Sequence, residues 1–440
     1  MKKIILLFVL LPSVLMAQHY IEGTFSPAED FTYAFLYKSN PTGAIYVDRS
    51  KVDDNGQFKI ELDSTDISGI YKIVYGVPQE ANNFDLIYNG KEDVVLDFSL
   101  SEGLEFKESN ENKLWASYTN SIEMINRAIS NYYSKGTEDK EAFKDIFKTL
   151  EETQDAFELA SKGTLASIFI QANRPYIPKT YEDISTYSDN LKQNYLKSVD
   201  FRNPLLQSSE FLTDRVMAYV FGMSADPTPE FYRGQIDNLN EYIGDNNSEI
   251  KMALLKAVWF NMVQLEESNI ANYITDTYLL QLAQQFNDEL LVERLTTYKN
   301  TSVGAKAINF PIMMEKDGKT KQTSLDELNI AQNYVLVFWN VGCSHCLEQL
   351  PELRKTMDRI DTKKVTVIAF ATQGESEAWR EEIKKYPHFI HVIDSGTPKR
   401  YVGNEYGVEM TPTYFVLDNN KKIIAKPDSL EELTAFVNEL

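Results

Sequence analysis

The chain has 440 residues, a formal net charge of −21, 43% hydrophobic and 12% aromatic residues, and only two cysteines. At about 150 residues per domain this length predicts about three domains, and the apolar content argues against a disordered chain. So acidic a surface repels phosphate backbones, and nucleic acid is not expected as a partner.

Met1-Lys2-Lys3 is followed by an apolar run from Ile4 to about Leu15 and then by Met16-Ala17-Gln18. A charged start, a stretch too short for a bilayer and a small residue at the cut read as a secretory signal cleaved after Ala17. Leu15 is larger than the residue usual at its place, and an uncleaved anchor is the other reading. No cysteine stands near the cut for lipid attachment, and no other apolar run approaches about 18 residues. A soluble mature chain in the periplasm or cell envelope is expected. Loss of Lys2 and Lys3 leaves 42 basic residues (44 less two) against 65 acidic, a net charge of −23.

Residues 18–105 predict a small β-sandwich. Tyr20 to Phe25, Tyr33 to Tyr37 and Gly69 to Tyr75 are short runs rich in β-branched and aromatic residues. Asp53-Asp54-Asn55-Gly56 gives a turn before the strict alternation of Gln57 to Leu62, and Asn89-Gly90 precedes a strand at Asp93 to Phe98. Residues 106–300 change to helical spacing, as in Leu114, Tyr118, Ile122, Ile125 and Ile129 or Phe143, Ile146, Phe147 and Leu150. Thr228-Pro229-Glu230 reads as a helix start and Gly244 as its stop. The aromatic stripes here are core packing, without a repeat of fixed period.

Residues 301–440 alternate strand and helix and predict an α/β sheet with covered faces. Tyr334 to Trp339 and Val365 to Phe370 are buried-strand runs, with a helix at Ser376 to Tyr386. Phe389 to Ile393 and Thr413 to Leu417 continue the sheet, Lys422 to Ala425 closes a hairpin, and a last helix starts at Ser429.

The two cysteines stand together, as Cys343-Ser344-His345-Cys346, four residues after the first buried run. At a helix N-terminus, one turn apart, such thiols can close a small disulfide ring, which is the chemistry of thiol–disulfide exchange. An exported chain with so few cysteines has no structural disulfide framework, which favours a reactive pair over a staple. Zinc needs about four ligands, and this pair with His345 leaves the site incomplete, so no metal and no cofactor are expected. Haem attachment needs His after the second cysteine, where Leu347 stands, and a peroxiredoxin-like peroxidase needs Thr or Ser where Asn340 stands.

The segment 301–440 resembles the thioredoxin fold, specifically the exported TlpA/ResA-like thiol–disulfide oxidoreductases. The resemblance rests on Phe338-Trp339 ending the strand, Pro351 five residues after Cys346, and Thr411-Pro412-Thr413 before the strand at Tyr414. Ile308-Asn309-Phe310-Pro311, Asp317-Gly318-Lys319 and Ser324-Leu325 resemble the family's lead-in strands. More weakly, residues 18–300 resemble the β-plus-helical extension of envelope proteins from Bacteroidetes-like bacteria. The resemblance implies Cys343 as exposed nucleophile and Cys346 as buried resolving thiol, joined in a redox disulfide. It also implies a cis Pro412 that brings the Thr411 backbone near Cys343 to pair with a substrate's extended backbone. Trp339 and His345 would tune the pair, and a protonated His345 would make it more oxidising.

Two departures stand out. Gln349, beside Glu348, occupies the place where many relatives carry glutamate, and Gly342 the place where many have an aromatic. The partners implied are protein thiols and disulfides and a membrane electron donor, which makes a reductase the leading expectation. A disulfide oxidant or isomerase, and an envelope binding module whose N-terminal domains capture a partner, are the alternatives. A homodimer through the helices stays open.

Overall fold

The computed structural model describes residues 19–440 apart from 42, 64–65, 80, 137, 317–318, 374–375 and 395–400, with backbone alone at 247, 315–316 and 319–320. The signal segment and Asp317-Gly318 lie outside the described residues. The chain divides into two compact units, one ending at Val258 and one beginning at Trp259.

In the first unit, β1 (His19–Ser26), β2 (Tyr33–Asn40), β3 (Gly43–Lys51), β4 (Gln57–Leu62), β5 (Gly69–Val74), β6 (Asn83–Tyr88), β7 (Val94–Ser99) and β8 (Gly103–Glu108) come first. They form two four-stranded sheets, β4-β1-β7-β8 and β3-β2-β5-β6. On β4, Phe58, Ile60 and Leu62 are buried while Gln57, Lys59 and Glu61 are exposed, as the pleat of a half-buried strand requires. These side chains meet Ile21 and Phe25 of β1, Leu36 of β2 and Tyr71 of β5 in one core between the sheets. The turn into β4 works as its residues dictate: Asp53 Oδ1 accepts the N–H groups of Asn55 and Gln57 at 2.8 and 2.9 Å. Gly56 there takes a φ of 81°, which an L side chain adopts only at a cost.

Helices α1 to α8 follow: Asn110–Ser134, Lys140–Ala160, Ala166–Ala172, Ile184–Asn194, Pro204–Gln207, Glu210–Phe221, Pro229–Ile243 and Ser248–Gln264. Tyr118, Ile122 and Ile129 of α1 pack on Phe143, Phe147 and Leu150 of α2, the faces that the spacing predicted. Asn112 of α1 accepts the Ile87 N–H at 2.8 Å and donates to its carbonyl at 2.7 Å, satisfying backbone on edge strand β6. Helix α7 starts as a capped helix should, with Thr228 Oγ1 accepting the Phe231 N–H at 3.2 Å and Pro229 in the first turn.

The second unit opens within α8, at Trp259, and continues with α9 (Ser268–Ile274), a π turn over Thr275–Leu279, α10 (Leu280–Gln285) and α11 (Glu289–Thr301). A hairpin of β9 (Pro311–Lys316) and β10 (Lys319–Ser324) leads into a five-stranded sheet. Its members are β11 (Asn333–Trp339), β12 (Val365–Ala371), β13 (Ile390–Ile393), β14 (Thr413–Asp418) and β15 (Ile423–Ala425), in the order β13-β12-β11-β14-β15. Strand β11 runs parallel to β12 and antiparallel to β14. Helices α12 (Ser344–Met357), α13 (Glu377–Ile383), α14 (Val402–Glu405) and α15 (Leu430–Glu439) complete the unit.

Strand β11 is buried on both faces, which is why its sequence is a continuous apolar run. Val335, Val337 and Trp339 enter one core with Cys346, Leu350 and Val437. Tyr334, Leu336 and Phe338 enter the other, with Phe370, Tyr406 and Phe415. No helix among the described residues is long and apolar enough to cross a membrane.

Candidate redox site

The site forms where β11 gives way to α12. Asn340 tightens the turn: its Oδ1 accepts the Gly342 N–H at 2.8 Å and its carbonyl the Cys343 N–H at 3.1 Å. Cys343 thereby becomes the N-cap of α12, with extended backbone (φ −92°, ψ 112°) and its Sγ 3.2 Å from the Cys346 N–H. The first N–H groups of a helix have no partner within it and carry the positive end of its dipole, so a sulfur placed there is favoured as thiolate. Asn340, the residue at the position where peroxidase chemistry needs a hydroxyl, is thus occupied in holding the loop.

Cys343 is partly exposed and Cys346 fully buried, and both are free thiols. The Cys343 thiol donates to the Thr411 carbonyl at 3.2 Å, and the Thr411–Pro412 peptide is cis. Desolvation pushes the Cys343 thiol up, but hydrogen bonds with the side chains of Cys346 and Thr411 and from the backbone N–H groups of Cys346 and His345 outweigh it and hold it below its ordinary value. Burial has the opposite outcome at Cys346, pushed up to about 11, with the hydrogen bond to Cys343 adding to the rise. One turn of helix thus separates an acidified, accessible sulfur from a buried one that keeps its proton. That asymmetry suits attack by the first and resolution by the second.

Trp339, with no exposed surface, packs in the same core as Cys346, and its Nε1 has no hydrogen-bond partner among the described residues. The His345 side chain stands in solvent, its Nδ1 3.8 Å from Glu348 Oε2, with both side chains about three-quarters exposed. Its backbone N–H bears on the Cys343 sulfur. Pro351 lies inside α12 and removes the N–H that would bond the Leu347 carbonyl. A cleft of about 230 Å³ borders the loop, lined by Asn340, Thr372, Gly403, Met410 and Thr411 among others.

Residue patterns placed Tyr414 in a strand and gave it no role. Its hydroxyl, buried on β14, donates to Gln349 Oε1 on α12 at 2.7 Å. Burial first, and then the two neighbouring sulfurs, raise its phenol well above the ordinary value. Its place two residues after Pro412 was the available signal. Among the described residues no group of three or more His, Cys, Asp or Glu side chains could hold a metal ion.

Residues 303–426 match the AhpC/TSA family profile. No curated protein matches the chain. Among solved structures, a domain of a possible thiol-disulfide isomerase from Cytophaga hutchinsonii is 29% identical over 31% of this chain and 91% of its own, with a TM-score of 0.27. The thioredoxin domain of a thiol-disulfide oxidoreductase from Bacteroides vulgatus is 24% identical over 31% of this chain and 96% of its own, with a TM-score of 0.28. A thioredoxin-like protein from Bacteroides caccae is 18% identical over 60% of this chain and 97% of its own, with a TM-score of 0.33. The chain is multidomain, with an N-terminal β-sandwich, a helical middle region and a C-terminal α/β domain of thioredoxin-like fold.

Proposed function

We propose that the chain is a TlpA/ResA-like thiol–disulfide oxidoreductase, exported to the periplasm or cell envelope, that reduces disulfides of protein substrates. The observation that carries this reading is the unequal pair at the start of α12: Cys343 accessible and acidified, Cys346 buried and protonated. Cys343 attacks a substrate disulfide as thiolate, forms a mixed disulfide and releases the first substrate thiolate, which takes a proton. Cys346 then loses its proton and attacks Cys343 Sγ; the mixed S–S bond breaks and the second substrate thiol departs. The substrate gains two electrons and two protons, and the protein is left with a Cys343–Cys346 disulfide. A thiol donor, which we assign to a membrane partner, restores the pair.

The Thr411 carbonyl and the cleft beside it offer an edge to which an extended substrate backbone could pair. The sandwich and helices of residues 18–300 would select or hold partners, in the manner of the envelope proteins they resemble.

The test is turnover of a protein disulfide with a reductant supplied. The wild type should turn over, Cys343→Ser should not, and Cys346→Ser should accumulate the mixed disulfide and retain its partners. Equal rates in the wild type and Cys343→Ser would end the reading. The measured potential fixes direction: a value near about −270 mV supports a reductase, and one near about −120 mV an oxidant.

A further inference from the structure

The resolving thiol needs somewhere to send its proton, and the side chains around it decide where. From α12 come Cys343, Gln349 and Leu350, with His345 and Glu348 turned to solvent. From β11 comes Trp339, and from β14 Tyr414. Helix α15 packs on α12 with Leu433 and Val437 inward, while its Glu431 and Glu432 are exposed. Among the described residues, the titratable groups that act are Cys343 on Cys346, and both thiols on Tyr414. Gln349, one turn after Cys346, stands where a carboxylate would be within reach, and its amide oxygen is already occupied by the Tyr414 hydroxyl.

Resting on the redox reading above, we propose that Tyr414 is a positioning residue of the resolving step. With Gln349 it forms a neutral brace between the strand that follows Thr411-Pro412 and the helix that carries both thiols. The brace has two consequences. It ties the Thr411 loop, whose carbonyl touches Cys343, to the helix face of Cys346, so the mixed disulfide and its attacker keep one geometry. It also places no proton acceptor there, since an amide oxygen and a buried phenol take up no proton near neutral pH. The Cys346 proton is therefore passed to the departing sulfur: the Cys346–Cys343 bond forms, the bond from Cys343 to the substrate sulfur breaks, and that sulfur leaves with the electron pair and the proton.

The test is a single-turnover reaction of reduced full-length protein with a chromogenic aromatic disulfide from about pH 5 to pH 9, in which release of the first and second thiols is read separately. Tyr414→Phe should leave the first release unchanged and slow the second about five-fold at every pH, the scale of one buried hydrogen bond. Gln349→Glu should give the second release a new inflection from the added carboxylate and speed it above that pH. The brace is overturned if Tyr414→Phe changes neither release, or slows both alike, or if Gln349→Glu leaves the pH profile of the second release as in the wild type. A wild type that releases no thiol at all overturns the redox reading itself, and the brace with it.

Discussion

The sandwich of the first unit and the sheet of the second bury similar aromatic cores and put them to different ends. In the sandwich β4 keeps one face wet while β5 is buried on both, and the core of Phe25, Phe31, Phe58 and Phe98, which also holds Tyr71 and Tyr88, contains no cysteine. In the second sheet β11 and β12 are both buried on both faces, and where the chain leaves the interior at the end of β11, α12 begins. Parallel strands carry their crevice at the carboxyl ends, and the cysteine pair occupies that position. A sheet covered on both sides can therefore present chemistry at its rim with a rigid floor beneath. A sandwich whose loops carry no such group offers surface alone.

Hollowing each core in turn separates their two roles. Phe25→Ala removes a ring lying 4.6 Å from Phe31 and 4.7 Å from Phe58, centroid to centroid. Phe338→Ala removes one lying 4.9 Å from Tyr406 and 5.1 Å from Phe370. Each should cost about 3–5 kcal/mol in denaturant unfolding, because the cavity adds to the lost transfer energy. The variants should differ at the thiols: Phe338 precedes Trp339, so its loss should also move the Cys343 titration. Equal thiol titrations in the Phe338→Ala variant and the wild type would show that the floor does not set the site.

Thiol titration, followed by thiolate absorbance, gives the next largest effect. Two steps should appear, the first below the ordinary value of about 8.5 for Cys343 and the second near 11 for Cys346. The signs for stability are opposite. The lowered Cys343 value contributes stability that is present above its unfolded pKa and is lost as pH falls through the folded one. The raised Cys346 value contributes stability that is present below its unfolded pKa and is lost as pH rises through about 11. A single two-proton step near 8.5 would erase the asymmetry on which the mechanism rests.

The two regions were also unequally legible in the sequence. Tyr334 to Trp339 announces a buried strand, and Cys343 with Cys346 announces a helix start, because composition and spacing act locally. Strand β3 escaped notice because it is an edge strand with Ala44, Ile45 and Tyr46 all exposed, so no alternation marks it. Strands β6 and β8 were missed as well, the first an edge strand held partly by Asn112 from α1. The Tyr414–Gln349 bond joins positions 65 apart, and no local pattern reports a neutral pair made by folding.

His345 is the smallest effect and the one that most sharpens the site. From its place between the cysteines it was expected to favour thiolate and so an oxidising pair. The folded chain turns its ring outward beside Glu348, into solvent, where water and salt screen interactions between side chains. Its backbone N–H still serves the Cys343 sulfur, and any residue but proline supplies that group. His345→Ala should therefore shift the reduction potential by less than about 10 mV, roughly a two-fold change in the equilibrium constant. The sign distinguishes the alternatives, since loss of a working imidazolium would destabilise the thiolate and move the potential to more negative values. A shift of about 30 mV in that direction, tenfold in the constant, would return the ring to the mechanism. A shift within the smaller bound leaves the α12 N-terminus and the Thr411 contact as the groups that set the poise of Cys343.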